Sequence, residues 1–428
     1  MIVCGCRSRF LPGACQARRP ISDPGRTFGL CWLVLTAILV DAWSRSALAE
    51  TAHVQDGRAG FVVSSISYAL ARDAAQTGAC PQGLSRSLAE VFAQTPGGKQ
   101  RHGEPEGDYE LRVRAGVQSL STAPNGQNLC MNPEAGGPDA YFRSVTVSNV
   151  PAPGIDLDGQ VSGSEQAAAP GACVHDDFVG MDGGQGIDNQ FYRVVGCSRS
   201  FQSTGQSNTF ETEMLTGSWG VLLAVSGIDD IHNDDDVEVG FFANADPIRL
   251  SPNREPLAYA TYTTGEDPRF RAMAHGRIKD GVLTTEPTDV RFRHVVNSML
   301  LERPLRDARV RMTIADDGTL DGYLAGYTPV EAMYDLQYGY RNGKTRTGEI
   351  APPGLRSGSA NGAAFVLGHT CHGAWHALYQ HADGHPDAAT GKCTSISTQY
   401  RIKAIPAFVV DNDAAIPGDR HLESGSGS

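Results

Sequence analysis

The sequence lacks the short motifs that identify the common hydrolases and nucleotide-binding enzymes. It contains no G-x-S-x-G, and the nearest stretch, Gly217-Ser218-Trp219-Gly220, does not have the spacing of a nucleophile elbow. It contains no H-E-x-x-H, so no helix offers the two histidines and the glutamate of a zinc protease. No phosphate-binding loop and no dinucleotide fingerprint are present. Function therefore has to be inferred from other features.

Tryptophan and positive charge are also scarce. Of the four tryptophans, Trp32 and Trp43 lie in the first 49 residues, which leaves Trp219 and Trp375, few for a carbohydrate-binding platform. The formal net charge is −12. Residues 1–49 hold six arginines and two aspartates, so removing this +4 segment leaves a remainder near −16. A charge of this sign argues against nucleic acid and against an anionic membrane surface as partners.

Long apolar runs are absent after residue 49, and the one earlier run has the layout of a secretory signal. Several arginines precede an apolar stretch at 28–40, and Ala47-Leu48-Ala49 forms a small-x-small cleavage site. The stretch is too short to span a bilayer. We predict a signal peptide over 1–49, a periplasmic or extracellular mature protein, and no membrane span after signal cleavage. The polar, Ser/Gly-ending segment 412–428 is predicted to be a disordered tail.

Four of the ten cysteines lie in the predicted signal peptide, and six remain. An even number of cysteines in an exported chain indicates disulfide bonds. The six fall into three pairs that are close in sequence. The simplest prediction is therefore Cys80 with Cys130, Cys173 with Cys197, and Cys371 with Cys393. The alternative is that one cysteine stays free as a metal ligand, which matters most for Cys371.

Short segments of alternating apolar and polar residues recur along the chain and predict β-strands. They are 60–66, 109–113, 142–147, 220–226, 236–242, 270–276, 288–292, 308–314 and 320–327. Asp-Gly pairs at 280–281 and 317–318 predict hairpins. The pattern predicts a mainly β fold, a β-sandwich of jelly-roll-like or concanavalin-like type, with a few short helices. The helices are predicted at 84–93, 330–338 and 363–382.

Composition suggests two regions in the mature chain. The first, 50–165, is an N-terminal loop-rich β region. The Gly/Ser/Ala-rich stretch 161–171 is predicted to be a connector. The second region, 172–411, is predicted to be the main β-sandwich domain with a helical, histidine-rich end.

Three stretches of the second region resemble an uncharacterised group of secreted bacterial proteins. They are Val174–Cys197 (VHDDFVGMDGGQGIDNQFYRVVGC), Gly227–Gly240 (GIDDIHNDDDVEVG) and Ala382–Val410 (ADGHPDAATGKCTSISTQYRIKAIPAFVV). The resemblance covers most of the mature chain. It implies export, and it implies no activity and no site residues.

The loop from Asp176 to Asn189 is the strongest candidate for chemistry. Asp182-Gly183 and Asp188-Asn189, with Asp177 nearby, are similar to the calcium loops of dockerins and thrombospondin type 3 repeats. Calcium binds six to eight hard oxygens, and carboxylates on a glycine-bent loop supply them. We predict a calcium site with Asp177, Asp182, Asp188 and Asn189 as ligands. The alternative is an acidic turn whose aspartates are solvated or cap the backbone.

Two further clusters are candidate metal sites. The first is the acidic loop 229–236, in which Asp230, Asp234 and Asp236 could bind a cation; its alternative is a solvated hairpin loop. The second is the histidine-rich segment. If it is helical, His369, His372 and His376 share one face and could bind zinc or copper, with Cys371 as a soft ligand. Its alternative is a surface of histidines beside a disulfide.

These features favour a secreted, disulfide-bonded, calcium-stabilised binding or structural protein of the periplasm or cell exterior. Its expected partner is a protein or a glycan, and nucleic acid is not expected. The alternative is a metal-dependent extracytoplasmic enzyme, a hydrolase or an oxidoreductase, that uses the histidine-rich segment or the acidic loops.

Overall fold

The secondary structure is defined by a computed structural model, which describes residues 54–71, 74, 76–163, 173–202 and 211–411. The predicted signal peptide, most of the predicted connector and the predicted disordered tail lie outside these residues. The strands are β1 (Arg58–Tyr68), β2 (Pro151–Ala152), β3 (Val179–Gly180), β4 (Val221–Ser226), β5 (Asp234–Ala243), β6 (Ala260–Thr263), β7 (Arg271–Lys279), β8 (Val282–Thr285), β9 (Thr288–Val296), β10 (Met299–Ile314), β11 (Leu320–Pro329), β12 (Gly384–Pro386) and β13 (Cys393–Val410). The helices are α1 (Leu88–Gln94), α2 (Glu106–Gly116), α3 (Gln190–Val195), α4 (Glu211–Leu215), α5 (Val330–Tyr334), α6 (Pro353–Leu367) and α7 (Cys371–Gln380).

Eight strands form a closed ring of antiparallel pairings. The order around the ring is β1, β4, β5, β7, β8, β10, β11 and β13, and β1 pairs with β13 to close it. Strands β12 and β6 extend the sheet from β13, β6 in the parallel sense, and β9 pairs with the first half of β10. The predicted mainly β class with a few short helices is confirmed. Because the sheet closes on itself, its inner faces oppose each other across one core, as the two sheets of a sandwich do.

Alternating side chains fill the inside of this ring. On β10, Val310 and Met312 are buried while Arg311 between them is exposed, because successive strand residues point to opposite faces. Met312 lies opposite Leu283 of β8 and Gly322 of β11. Helices α3, α5 and α7 contact β13, and their buried apolar side chains belong to the same cluster as the side chains inside the ring. The apolar core is therefore shared between the strand interiors and the helices that cover them.

A buried arginine links three parts of this core. Arg303 of β10 donates from one guanidinium nitrogen to the hydroxyls of Tyr68 (2.7 Å) and Tyr400 (3.1 Å). The amide of Gln337, in the π-helical turn after α5, donates to the same Tyr68 hydroxyl at 2.7 Å. The network fixes β1, β10 and β13 relative to one another at one end of the ring.

Both predicted Asp-Gly hairpins are confirmed. Asp280 and Gly281 have φ values of 51° and 71° in the turn between β7 and β8. Gly318 has a φ of 79° in the turn between β10 and β11. The two-residue turn at 280–281 needs positive φ at both positions, which glycine adopts without strain and aspartate tolerates. The longer turn between Ala315 and Thr319 needs it only at Gly318.

Two predicted strands and one predicted helix are wrong. The segment 109–113 lies in α2, whose first turn carries the acidic residues that favour a helix N-terminus, and the segment 142–147 forms no regular strand. The predicted helix 363–382 is two helices. Gly368, with a φ of 69°, ends α6, and the Thr370 side chain accepts the Gly373 N–H to begin α7. Among the described residues, no helix has the length and apolar character needed to cross a membrane.

The predicted cysteine pairing is wrong, although all six cysteines are bonded. The disulfides join Cys80 to Cys197, Cys130 to Cys371, and Cys173 to Cys393, across sequence separations of 117, 241 and 220 residues. Sequence proximity misleads here because each bond joins two segments that only the folded chain brings together. A disulfide that closes a long loop stabilises the fold more than one that closes a short loop. On chain entropy alone, each of these three bonds contributes about 5 kcal/mol.

We predict that digestion of the oxidised protein under non-reducing conditions yields these three disulfide-linked peptide pairs by mass spectrometry. Removing the most distant pair, with Cys130→Ala and Cys371→Ala together, should lower the free energy of unfolding by about 2–5 kcal/mol because the unfolded chain gains freedom. Urea unfolding of the variant and of the oxidised wild type measures this loss. The reduced wild type, which lacks all three disulfides, shows the largest loss expected. Peptides that link Cys173 to Cys197 would contradict the assignment.

Candidate metal centre

Two loops meet on the outer face of β11 and β13, and one glutamine of β13 holds both. The first loop covers residues 155–160 and the second covers 176–189. Gln399 donates from its amide to the carbonyls of Ile155 (2.8 Å) and Asp188 (2.6 Å). Its amide oxygen accepts the Ile155 N–H at 3.1 Å. Because Gln399 is only 1% exposed, this contact is shielded from water and sets the separation of the loops.

Neighbouring contacts fix the same loops to the sheet. The Cys173–Cys393 disulfide joins the chain just before the second loop to the start of β13. The Ser397 hydroxyl of β13 accepts the Gln190 N–H at 2.8 Å, and the Ser397 N–H donates to the Asp383 carboxylate at 2.6 Å. The loops that carry the site are therefore fixed to a strand, which favours a precise ligand geometry.

Three carboxyl groups converge where the loops meet. One oxygen from each of Asp156, Asp158 and Asp188 lies within 4.8 Å of the other two. Oxygens that share one calcium ion at about 2.3–2.6 Å are separated by up to about 5 Å, so the spacing suits that ion. Asp188 is only 5% exposed, whereas Asp156 and Asp158 are exposed. At Gly186, which has a φ of 83°, an added Cβ would lie 2.7 Å from the Gln160 carbonyl, so glycine allows the loops to approach.

Each of these aspartates has one oxygen engaged by a backbone N–H group. Asp188 accepts the Leu157 N–H at 2.6 Å. Asp156 accepts the Gly159 N–H at 2.7 Å, and Asp158 accepts the Gln160 N–H at 2.8 Å. The N–H contacts orient the carboxyl groups and leave their second oxygens for a ligand.

Two more aspartates, Asp177 and Asp383, lie near the same centre and make ionisation of Asp188 less favourable. The pKa of Asp188 is raised to about 8, first by burial and then by the nearby carboxylates of Asp383, Asp177 and Asp158. Burial likewise raises the pKa of Asp383 to about 7 and raises the pKa of Asp177, which forms a hydrogen bond with Asp188. Without a cation, the centre therefore keeps protons near neutral pH.

The nearest arginine compensates for only part of this charge. Arg193 of α3 interacts electrostatically with Asp176, Asp177 and Asp383. Its guanidinium donates to the Asp176 carbonyl (2.9 Å) and to the Ser148 hydroxyl (2.8 Å) rather than to these carboxylates. Burial lowers the pKa of Arg193. Arginine side chains nevertheless stay protonated at neutral pH in proteins, so Arg193 carries a positive charge. One cation therefore faces several carboxyl groups.

Of the four predicted calcium ligands, the structure brings only Asp177 and Asp188 to this centre. Asp182 lies in an exposed turn and accepts the Gly184 N–H at 3.0 Å. Asn189 is 1% exposed and caps α3 by accepting the Tyr192 N–H at 3.2 Å. Its amide also donates to the Ala69 carbonyl at 2.7 Å. The pattern that suggested a single calcium loop therefore combines two ligand candidates with a turn and a helix cap.

The acidic loop 229–236 has the geometry of a self-capped turn. Asp234 accepts the N–H groups of Asp229 (2.7 Å) and Asp236 (3.1 Å), and these contacts lower its pKa. Asp230 accepts the His232 N–H at 2.9 Å. Asp230 and Asp234 thus serve the local backbone, and neither they nor Asp236 belong to the one group of three candidate ligands found among the described residues.

The histidines of the predicted zinc or copper site point to different partners. His369 lies in the break between α6 and α7, stacks on Phe142 at 4.1 Å and faces the Tyr338 hydroxyl at 3.4 Å. Burial lowers the pKa of His369 to about 3. The His376 ring contacts the Gly136 carbonyl at 2.7 Å. His372, whose pKa is also lowered by burial, packs against Gly136, and Cys371 is in a disulfide and cannot supply a thiolate.

Sequence analysis missed three acidic residues of the centre. Asp156 and Asp158 belong to the short stretch Asp156-Leu-Asp158-Gly159, in which carboxylates alternate before a glycine, and this spacing could have been noticed. Asp383 carries no such signal. Its position depends on the Ser397 contact on β13, which only the folded chain creates.

Comparisons of the chain with known protein families, with characterised proteins and with solved structures find no match. The resemblance to secreted bacterial proteins stays a prediction. The proposals below rest on the geometry of the described residues.

We predict that, in the presence of chelator, the free energy of unfolding falls as pH rises from about 6.5 to 8.5. The folded protein holds a proton on Asp188 in this range, whereas the unfolded chain has released it at its ordinary pKa of about 4, so raising the pH favours unfolding. Buried histidines with lowered pKa values act in the opposite direction, but below about pH 6.5.

Urea unfolding of the wild type and of Asp188→Asn measures this dependence. The variant keeps an acceptor for the Leu157 N–H and has no proton to lose, so its profile should be flatter, while exposed Asp182→Asn should follow the wild type. A wild-type profile that is level or rises over this range would show that Asp188 is already ionised in the folded state.

Proposed function

We propose that this protein is an extracytoplasmic binding or structural protein whose fold is held by three disulfides and by one calcium ion at Asp156, Asp158 and Asp188. The buried carboxyl of Asp188 is the observation that supports the ion most strongly. It is 5% exposed and lies among other carboxyl groups, so its charge needs a compensating cation or a proton. Asp177 and Asp383 are close enough to contribute further oxygens or to orient the ligands.

Calcium suits this centre better than a transition metal. The converging ligand atoms are carboxylate oxygens, which hard cations such as calcium prefer, and zinc or copper sites use histidine or cysteine. Calcium also accepts irregular sets of six to eight oxygens, so two loops that meet at one point can complete its shell with carbonyls and water. Magnesium demands tighter octahedral geometry.

The extracytoplasmic location is supported by the disulfides. All six cysteines of the described chain are paired, and such bonds persist in oxidising compartments rather than in the cytosol. The predicted signal peptide over 1–49 agrees with this location. The enzyme alternative gains no support from the histidine-rich segment, because His369 and His376 contact protein groups and Cys371 is oxidised.

We predict that calcium raises the thermal unfolding midpoint and that chelator lowers it. An ion that binds only the folded state stabilises it by about 2.7 kcal/mol when its concentration is a hundredfold above Kd. Differential scanning calorimetry at constant ionic strength, with calcium or chelator, measures the shift. Sites in extracellular modules often have Kd values near about 10⁻⁴–10⁻³ M, so a hundredfold excess needs about 10–100 mM calcium, and lower concentrations give a smaller shift.

Matched variants locate the ion. Asp158→Asn should abolish most of the calcium-dependent shift, because Asp158 is an exposed ligand candidate whose loss leaves the fold intact. Asp182→Asn and Asp236→Asn remove the same charge elsewhere and should retain the shift. A shift that survives in Asp158→Asn and disappears in Asp236→Asn would place the ion in the acidic loop 229–236, and no shift in the wild type would refute the ion.

A further inference from the structure

A cleft of about 650 Å³ on another part of the molecule concentrates positive charge. Five cationic side chains line it, together with the carboxylates of Glu302 and Asp335, which gives a formal charge of +3. The cations are Arg269, Arg291, Arg293, Lys344 and Arg346. The cleft that they line is called the basic cleft below. The whole chain has a net charge of −12, so this cleft reverses the sign of its surroundings.

The cations come from three segments that are far apart in sequence. Arg291 and Arg293 alternate along β9 and point outward, while Phe292 between them is buried. Arg269 lies in the short helical turn before β7. Lys344 and Arg346 belong to a loop that is paired with β10 through the backbone of Leu300, at 2.7 and 2.9 Å. The fold, and not a local run of basic residues, creates the cleft.

Two of the arginines are held in place by one carboxylate. Glu302 accepts from Arg269 at 2.8 Å and from Arg291 at 2.6 Å, one with each of its oxygens. Arg269 and Arg293 also lie 5.2 and 5.4 Å from the centroid of the Phe270 ring. These contacts restrict guanidinium groups that would otherwise lose rotamer freedom on binding.

Asp267 pairs with Arg269 at 2.7 Å and interacts electrostatically with Arg293, so it offsets part of the positive charge of the basic cleft. Within the part of the chain that the structure describes, Arg293, Lys344 and Arg346 form no ion pair. The other lining carboxylate, Asp335, is occupied by Arg341 at 2.6 Å and by the Asn342 amide at 2.6 Å. An anion that enters the cleft therefore meets cations with donors to spare.

We infer that the basic cleft binds a compact organic ligand with two or more anionic groups, whether carboxylate, phosphate or sulfate. Guanidinium groups pair with all three through two parallel hydrogen bonds. The volume lies within the range of small-molecule sites, and Leu300, Pro304 and Ile350 give the walls an apolar part. The acidic remainder of the chain repels an anion that extends beyond the cleft, which favours a compact ligand over a long polyanion.

This inference supplies a ligand for the binding role proposed above, and it does not depend on the calcium ion. The calcium proposal and the anion proposal can fail separately. Calcium binding is measured by the calcium-dependent shift of the thermal midpoint in the wild type and in Asp158→Asn. Anion binding is measured by the Kd of the wild type and of variants of the basic cleft. All titrations are made in excess calcium, so that a probe cannot act by removing the ion.

Isothermal titration calorimetry tests the inference with three probes, each for one source of anion. They are tricarballylate for carboxylate, glucose 1,6-bisphosphate for phosphate and glucosamine 2,6-disulfate for sulfate, with glucose as the neutral control. At about 50 mM salt, where screening is moderate, at least one anionic probe should bind, and raising the salt should weaken it. The probe that binds most tightly identifies the anionic group.

Paired variants separate the basic cleft from the overall charge. Arg293→Gln with Arg346→Gln should weaken binding by roughly tenfold or more, because two direct charge-assisted contacts are lost. Arg114→Gln with Lys279→Gln removes two exposed positive charges elsewhere and should change Kd by less than about twofold. Thermal midpoints confirm that both variants fold. The inference is overturned if no probe binds, if both variants weaken binding equally, or if only a long polyanion such as heparin binds.

Discussion

The pairing of β13 with β1 is the constraint on which the rest of the molecule depends. It closes the ring of eight strands and places the last described strand beside the first. One of the three disulfides, Cys173–Cys393, is anchored at the first residue of β13. The same strand presents Ser397 and Gln399 to the outside, and these two side chains hold the aspartate loops. Fold and candidate metal centre therefore share one structural element.

Holding those loops together has an electrostatic cost. Asp188 is buried beside Asp177 and Asp383, and like charges in a partly desolvated site cannot all ionise without compensation. A proton shared between Asp177 and Asp188 is one solution, and a divalent cation is the other. The two compete, because a calcium ligand must be ionised. The rigid support from Gln399 means that the loops cannot simply separate to relieve the repulsion.

The sequence allowed the β class to be predicted because its signals are local. Alternation around Val310 and Met312 and the turn at Asp280-Gly281 depend on near neighbours, and both are confirmed. The disulfide partners were mispredicted because pairing depends on long-range contacts of the folded chain, which leave no local signal. The acidic cluster of the candidate metal centre also depends on long-range contacts, and only part of it could be anticipated from the sequence. Asp177 and Asp188 lie in one acidic loop, but Asp156 and Asp383 join them only through contacts on β13.

The central claim is that calcium replaces protons at a buried carboxyl centre. Calorimetric titration of calcium into the metal-free protein at pH 7, repeated in two buffers with different ionisation enthalpies, counts the protons released per ion bound. With a pKa of about 8, Asp188 is mostly protonated at this pH, so the account predicts the release of about one proton or more. Release should fall by about one proton per ion in Asp188→Asn, and any remaining release comes from Asp383 or Asp177. Calcium binding without proton release in the wild type would contradict the account.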